Sequence, residues 1–530
     1  MDTSQQFEAV CRAMSDPDFY PHPVSEIERR DTHISAVFLT GKWVYKLKKP
    51  LNLGFLDFRD LDDRQRFCKR ELSLNRRLSR DVYHEVIKIY QGEDATFSLE
   101  KKGRVIEYAV KMRQLPDAAS LRELLKKNKI GPMHMRKLGH TLAAFYRQSE
   151  RNSRIDHYGQ RDVIAFNMEE NFQQLEPFVD NILESEKWEF IRQVNRSFFN
   201  DHLDLFNRRV QTGRIRDGHG DLRTDHVYFY QGIQIIDCIE FNDRFRYGDA
   251  AVDLAFLHMD MEHLGFPELS RNFLNAYVNK ADDPELYALI DFYAAYRAIV
   301  RLKVTCLRLQ EIENSQRRFL KDEIKRYTDQ AYQYAIRFSR PTLWILCGLP
   351  ATGKSSLSHR AAKALSADLF QSDRLRKEIG LPSQPGVAPF GRGRYRPELR
   401  HHIYAHQLAR AQEKLKKGRS VILDATFAHR KWRADARRLS ADLDTNIIFA
   451  ECVCNSETLR TRLKKRETAT GLSDARLQHF PQLLEDFEPI DELNSEIHFT
   501  VNTDQPVHST LMKLLAEGYA GKCVQVGKIL

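Results

Sequence analysis

None of the eight cysteines falls in a C-x-x-C pair, and no cysteine or histidine group has the spacing of a zinc site. The sequence therefore offers neither a dithiol redox motif nor a structural zinc centre. Cys452 and Cys454 lie in a strand-like stretch, 447–454, where alternate residues share a face, and both read as buried thiols. No apolar run approaches the roughly 18 residues of a membrane span. The first residues, Met1-Asp-Thr-Ser-Gln-Gln, carry no basic stretch leading into an apolar one. A reducing cytoplasm is the expected compartment, with no membrane anchor. Charge of one sign is also scarce in excess: 83 basic residues against 73 acidic leave +10. That modest surplus suits a polyanionic partner and a pair of phosphate sites equally well. What is present is the composition of a folded protein, 42% hydrophobic and 10% aromatic, over 530 residues. This length holds two or more domains with full cores.

The most specific signal is Thr342-Leu-Trp-Ile-Leu-Cys-Gly348-Leu-Pro-Ala-Thr-Gly353-Lys354-Ser355-Ser356. An apolar run breaks at Gly348, loops to Gly353 and opens into a helix-like stretch, giving the G-x-x-x-x-G-K-S spacing of a P-loop. Glycines let backbone N–H groups curl around phosphate oxygens, and the following helix N-terminus adds positive potential. Lys354 is expected to reach the β- and γ-phosphates, with Ser355 in the Mg²⁺ shell. The expected cofactors are a nucleoside triphosphate, ATP or GTP, and Mg²⁺.

Upstream, residues 35–40 and 43–48 read as a β-hairpin around Gly41, and 62–79 has helical spacing. Three more strand candidates follow at 86–90, 95–99 and 105–112, and residues 120–210 are helical in pattern. A small antiparallel sheet carrying one helix, then a larger helical part, is the ground plan of a protein-kinase-like fold. The segment Asp217-Gly-His219-Gly-Asp221-Leu-Arg-Thr-Asp-His226 is followed by an apolar strand, by Asp237-Cys-Ile-Glu240, and later by Gly248-Asp249 and Asp253. This set, over roughly residues 30–310, resembles the aminoglycoside-phosphotransferase (choline-kinase-like) family, whose catalytic loop reads H-G-D-x-x-x-x-N.

The resemblance implies that Asp221 accepts the proton of an acceptor hydroxyl and that Asp237 holds Mg²⁺ between phosphate oxygens. It implies a strand lysine on the phosphates paired with a helix glutamate, for which Lys46 and Glu71 stand, with Lys48 as the fallback on the same face. At the position of the second metal-binding Asn the chain has His226. Mg²⁺ prefers oxygen to imidazole nitrogen, so either His226 orients Asp221 or one metal is lost, with Glu240 a replacement oxygen ligand. Asp249 and Asp253 read as helix-capping or loop-tying carboxylates.

Arg340-Pro341 breaks the helical pattern ahead of the P-loop, which places a domain boundary near residue 337. The expected domains are 1–337, kinase-like, and 338–530, P-loop. From Thr342 onward strands alternate with helices, with strands at 343–347, 367–370, 421–423, 447–453 and 497–501, so a parallel sheet is expected. The fold class is thus multidomain, α+β followed by α/β. Open α/β sheets place ligands at the C-terminal ends of their strands. Asp373 and Arg376 stand at one such end in the D-x-x-R spacing of P-loop polynucleotide and small-molecule kinases. They are expected to act as base and as grip on an anionic acceptor. Asp424 ends another strand and is a candidate for Mg²⁺ through water. Arg460, Arg462 and Arg466 lie on a helix-like stretch ahead of a possible lid, with Arg462 and Arg466 four apart on one face. Arg392, Arg394 and Arg396 fall in a glycine- and proline-rich loop suited to an acidic acceptor or to solvent.

The whole arrangement resembles a bacterial two-domain family described as bifunctional aminoglycoside phosphotransferase/ATP-binding proteins. It implies a cytoplasmic phosphotransferase acting on a small-molecule or polynucleotide hydroxyl, and it leaves the oligomeric state open. Two alternatives stand beside it: a nucleotide-dependent regulatory protein with a non-catalytic kinase-like half, and a polynucleotide 5′-end kinase.

Overall fold

The computed structural model describes residues 3–54, 56–312, 317–378, 397–468 and 477–528, without the side chains of 397, 398, 466–468 and 479. By contacts the chain divides into two compact units, residues 1–166 with 207–277, and residues 167–206 with 278–530. The helices Ser185–Asp201, Leu286–Glu311 and Arg317–Ser339 lie in the second unit.

The first unit is built on a six-stranded, wholly antiparallel sheet. Its spatial order is Glu28–Asp31, Ser35–Leu39, Trp43–Lys48, Arg104–Arg113, Tyr83–Gln91 and Phe97–Ser98. The expected hairpin is its centre, turning at Gly41, where φ is +86°. Side chains alternate along the strands, so the two faces have different covers. Tyr45 and Leu47 pack with Phe7, Val10 and Cys11 of the Thr3–Ala13 helix. Val44 faces the opposite way, packed with Cys68 and Leu72 of the Leu61–Asn75 helix. Lys46 and Lys48 share that face by period two, which aims them at the helix that carries Glu71. Asp60 caps this helix through the Asp62 N–H. Two short antiparallel pairs follow, Ile215–Asp217 with Tyr247–Asp249 and Val227–Phe229 with Ile233–Ile235.

The second unit contains a five-stranded parallel sheet in the order Asp368–Gln371, Val421–Asp424, Thr342–Cys347, Asn446–Val453, His498–Asn502. The P-loop strand is central and wholly buried. Leu343, Ile345 and Cys347 pack with Leu423, Phe449 and Trp432 on one face. Trp344, on the other face, meets the Val507–Gly527 helix at Gly518. That helix is tied to Leu286–Glu311 by buried Asp291, which accepts from the Tyr519 hydroxyl at 2.9 Å and pairs with Lys522 at 3.1 Å. Among the described residues no helix is long and apolar enough to cross a membrane.

Candidate functional site

In the second unit the P-loop runs from the buried strand into the Lys354–Leu365 helix. Gly348 (φ +123°) and Gly353 (φ +90°) occupy the left-handed region that glycine reaches without strain. A Cβ on Gly348 would stand 2.5 Å from the Cys452 carbonyl oxygen, so close approach also requires glycine there. The Lys354 ammonium donates to the carbonyls of Gly348 at 2.8 Å and Leu349 at 2.7 Å. Burial holds its pKa below the usual lysine range.

Lys354, Ser355, Asp373, Arg376 and Asp424 line one cleft, together with Arg400 and Asp486. Asp373 and Arg376 are ion-paired, as are Asp486 and Arg400, at 2.5 Å. Asp424 takes hydrogen bonds from Ser358 at 3.1 Å and Gln371 at 2.8 Å, both on Oδ2. Its Oδ1 accepts none among the described residues, so a carboxylate oxygen is left for a hydrated cation. Ser355 is exposed on the same wall. This donor set fits Mg²⁺, which keeps several waters and takes few protein oxygens.

Arg462 stands elsewhere. It donates to the Thr503 carbonyl at 2.7 Å and the Thr503 hydroxyl at 3.2 Å, and it lines a second hollow with Gly353, Ser356, Lys465 and Gln505. Arg466 is on the same Ser456–Thr468 helix, its side chain outside the described residues, and Arg460 lies over the Phe480 ring. Arg392, Arg394 and Arg396 fall outside the described residues.

In the first unit five side chains form an unbroken row of alternating charge. Asp237 Oδ1 lies 2.5 Å from Lys46, which lies 2.9 Å from Glu71 Oε1. Glu71 Oε2 lies 2.8 Å from Lys48, which in turn contacts Glu240. Lys48 and Glu71 are fully buried, whereas the Asp237 side chain is 44% exposed. Burial opposes the charge on Asp237, yet Lys46 and His226 hold its pKa well below the ordinary carboxylate value. Burial likewise opposes the charge on Glu71, and the two lysines prevail. Asp237 adopts φ +65°, unusual for a residue with a Cβ. Its N–H donates to the Tyr83 hydroxyl at 3.2 Å, and the next N–H to Asn75 at 2.9 Å.

Asp221 accepts from Arg223 at 3.0 Å. Its loop is shaped by Asp253, whose carboxylate accepts from the N–H groups of His219 at 2.6 Å and Gly220 at 2.9 Å. His226 stands between the two carboxylates, with Nδ1 3.5 Å from Asp221 Oδ2 and Nε2 3.6 Å from Asp237 Oδ2. An ionised, half-exposed Asp237 beside a strand lysine fits one cation shared with phosphate oxygens.

Comparison with known proteins bears on both units. An uncharacterized protein of Mycobacterium tuberculosis is 32% identical over 462 residues, covering 86% of this chain and 89% of its own. An uncharacterized protein of Mycobacterium bovis matches equally. The chain belongs to their family. A family described as AAA domain matches residues 343–490. Among solved structures, a choline/ethanolamine kinase family protein from Mesorhizobium loti is 12% identical, covers 62% of this chain and 98% of its own, and has a TM-score of 0.38. The APS kinase of Mycobacterium tuberculosis is 18% identical, covers 34% of this chain and 97% of its own, and has a TM-score of 0.24. The chain joins a unit built on an antiparallel sheet to a P-loop region that falls within the match to the AAA-domain family.

Within this frame the structure brings Lys46, Glu71, Asp237 and Asp221 to one place, and Gly348–Ser355, Asp373, Arg376 and Asp424 to another. It does not bring Glu240 to the cation side. As a replacement oxygen ligand Glu240 is corrected, because it is 3% exposed and bound to Lys48. Lys48 is no substitute for Lys46, since the two hold opposite oxygens of Glu71. Asp249 is structural, bonded twice to Arg209 at 2.8 Å while capping the Ala250–His263 helix. Sequence reasoning missed Arg400 and Asp486, which reach the P-loop cleft from segments bearing no motif.

Proposed function

We propose that the protein is an ATP- or GTP-dependent phosphotransferase whose P-loop unit moves a phosphoryl group to a hydroxyl acceptor. The observation that carries this reading is the convergence of Lys354, Ser355, Asp373 and Asp424 on one cleft. The P-loop N–H groups and Lys354 bind the triphosphate. Lys354 leaves the carbonyls of Gly348 and Leu349 for phosphate oxygens and offsets their charge as it redistributes. Asp373 takes the acceptor proton as the hydroxyl oxygen bonds to the γ-phosphorus and the bond to the β,γ-bridging oxygen breaks. Arg376 orients the acceptor, and Arg462 holds the nucleotide from the far side of the P-loop, with Arg466 one turn on. Ser355 and Asp424 would hold Mg²⁺, which supplies charge neutralisation between the β- and γ-phosphates.

The N-terminal unit is proposed as a second phosphotransferase site. Lys46, steadied by Glu71, contacts phosphate, Asp237 holds the cation and Asp221 is the base. His226 at the expected Asn position favours a competing reading, a nucleotide-sensing half without transfer. ATP and GTP turnover by wild type, Lys354→Ala and Asp221→Ala, with small alcohols or RNA ends as acceptors, separates the readings. Two active sites predict that each variant loses a different part of the turnover, by about 100-fold or more at the affected site. Loss confined to Lys354→Ala makes the N-terminal half the sensor, and labelling of RNA ends alone selects the end kinase. Acceptor-independent hydrolysis unchanged in Asp373→Asn overturns transfer in the P-loop unit.

A further inference from the structure

His226 leaves one position of the catalytic loop without an oxygen ligand, and a positive charge stands beside it in Arg223. A short turn fixes this arginine. Thr224 donates its N–H at 2.8 Å and its hydroxyl at 2.5 Å to buried Asp260, and the His226 N–H donates to the Arg223 carbonyl at 3.0 Å. The Arg223 side chain is only 16% exposed. Its Nε donates to Asp221 Oδ1 at 3.0 Å, Nη1 stands 3.5 Å from Asp225 Oδ2, and Nη2 stands 3.3 Å from His226 Nε2. His226 Nε2 is in turn 3.6 Å from Asp237 Oδ2. One guanidinium therefore lies between the proposed base and the proposed cation carboxylate, the two groups that bracket a transferring phosphoryl group. Neutralising Asp225 does not explain it, because Asp225 has its own cation in Arg122 at 2.7 Å. Nη1 and Nη2 hold two N–H groups each, and these contacts use one on each, so both keep a second N–H for an incoming oxygen.

We infer that Arg223 is a catalytic residue of the N-terminal site, its guanidinium holding oxygens of the γ-phosphoryl group where His226 offers Mg²⁺ no oxygen. As the acceptor oxygen bonds to the γ-phosphorus, its proton passes to Asp221. The bond to the β,γ-bridging oxygen breaks, and its electron pair leaves with the nucleoside diphosphate. Arg223 makes and breaks no covalent bond in this step. It is charged throughout, and its planar fork matches phosphate with parallel N–H donors. It thus offsets the charge that spreads over the equatorial oxygens, and Asp237 is left as the carboxylate for one cation.

The inference rests on the N-terminal unit binding nucleotide, and the experiment keeps the two apart. Full-length Lys354→Ala protein, with its P-loop disabled, is titrated calorimetrically with ADP and with a non-hydrolysable ATP analogue, both with Mg²⁺. Only the analogue carries a γ-phosphoryl group. Arg223→Gln in this background is therefore expected to weaken the analogue about tenfold or more and to leave ADP within about twofold. An unchanged ratio of the two affinities, which a merely structural Arg223 would give, overturns the inference. Where Arg223→Gln binds neither nucleotide, the same ratio is read in Arg223→Lys, which keeps the charge without the fork. There it is expected to fall about threefold or more, and an unchanged ratio again overturns the inference. If the Lys354→Ala protein itself binds neither nucleotide, the N-terminal phosphotransferase reading falls and this inference falls with it.

Discussion

His219 shows how one side chain links the candidate site to stability. It is fully buried, and burial pushes its pKa down to about 4 from 6.5. In this neutral state Nε2 donates to the Ile236 carbonyl and Nδ1 accepts from the Asp221 N–H. Protonation would remove that acceptor and release the backbone of Asp221. Above pH 6.5 the folded and unfolded chains are both neutral here, so the group adds no pH dependence. As pH falls from 6.5 toward 4, the unfolded chain takes up a proton that the folded chain refuses, and stability is lost across that window. Denaturant unfolding between pH 6.5 and about 5, above the range where most carboxylates titrate, should show stability falling in wild type and a flatter dependence in His219→Gln. Equal slopes would show that His219 is not the titrating group. Lys48 offers a second residue-scale test. Lys48→Met strands the buried carboxylate of Glu240 and leaves Glu71 to Lys46 alone, and should cost about 3 kcal/mol or more. Lys48→Met/Glu240→Gln removes one of those charges as well and should recover part of the loss, read from urea midpoints.

At the scale of elements, the P-loop strand meets the Val507–Gly527 helix in a close approach at Trp344. A Cβ on Gly518 would stand 1.9 Å from the Trp344 ring, so the Val507–Gly527 helix meets the strand only because that position is glycine. Gly518→Ala should destabilise by about 1–3 kcal/mol through overpacking, despite the better helix propensity of alanine. A thermal midpoint at or above wild type would mean that the ring moves freely. Elements of this kind separate what was legible in the sequence from what was not. All five parallel strands were expected to within a residue or so at each end, because buried β-branched and aromatic runs alternate with helical spacing. The Trp43–Lys48 hairpin was legible for the same reason. The Glu28–Asp31 strand was not, since all four of its residues are exposed and an edge strand without an apolar face has no periodicity to read. Lys46, Glu71, Asp221 and Asp237 could be picked out by motif order. The second hold on Glu71 by Lys48, the closure of Glu240 and the direction of His226 Nε2 are tertiary facts without a local signal.

For the whole molecule, the two candidate sites obey different physics. As proposed, one would bind phosphate with backbone N–H groups and a helix N-terminus, and the other with a lysine held in a row of buried charges. Different cradles should fail separately, which calorimetry with a non-hydrolysable nucleotide can read. Wild type should bind two nucleotides per chain. Lys354→Ala should bind one, because the P-loop loses the lysine proposed on the β- and γ-phosphates while the Lys46 site is untouched. Asp237→Asn should also bind one, because the N-terminal unit loses its cation anchor while the P-loop keeps Ser355 and Asp424. A double variant should bind none. Wild type saturating at one nucleotide would leave a single phosphate site, and whichever variant abolished that binding would identify it. Two nucleotides both lost in either single variant would show instead that the sites are coupled. In that case the charge row around Glu71 and the P-loop would have to be treated as halves of one machine rather than two independent kinases.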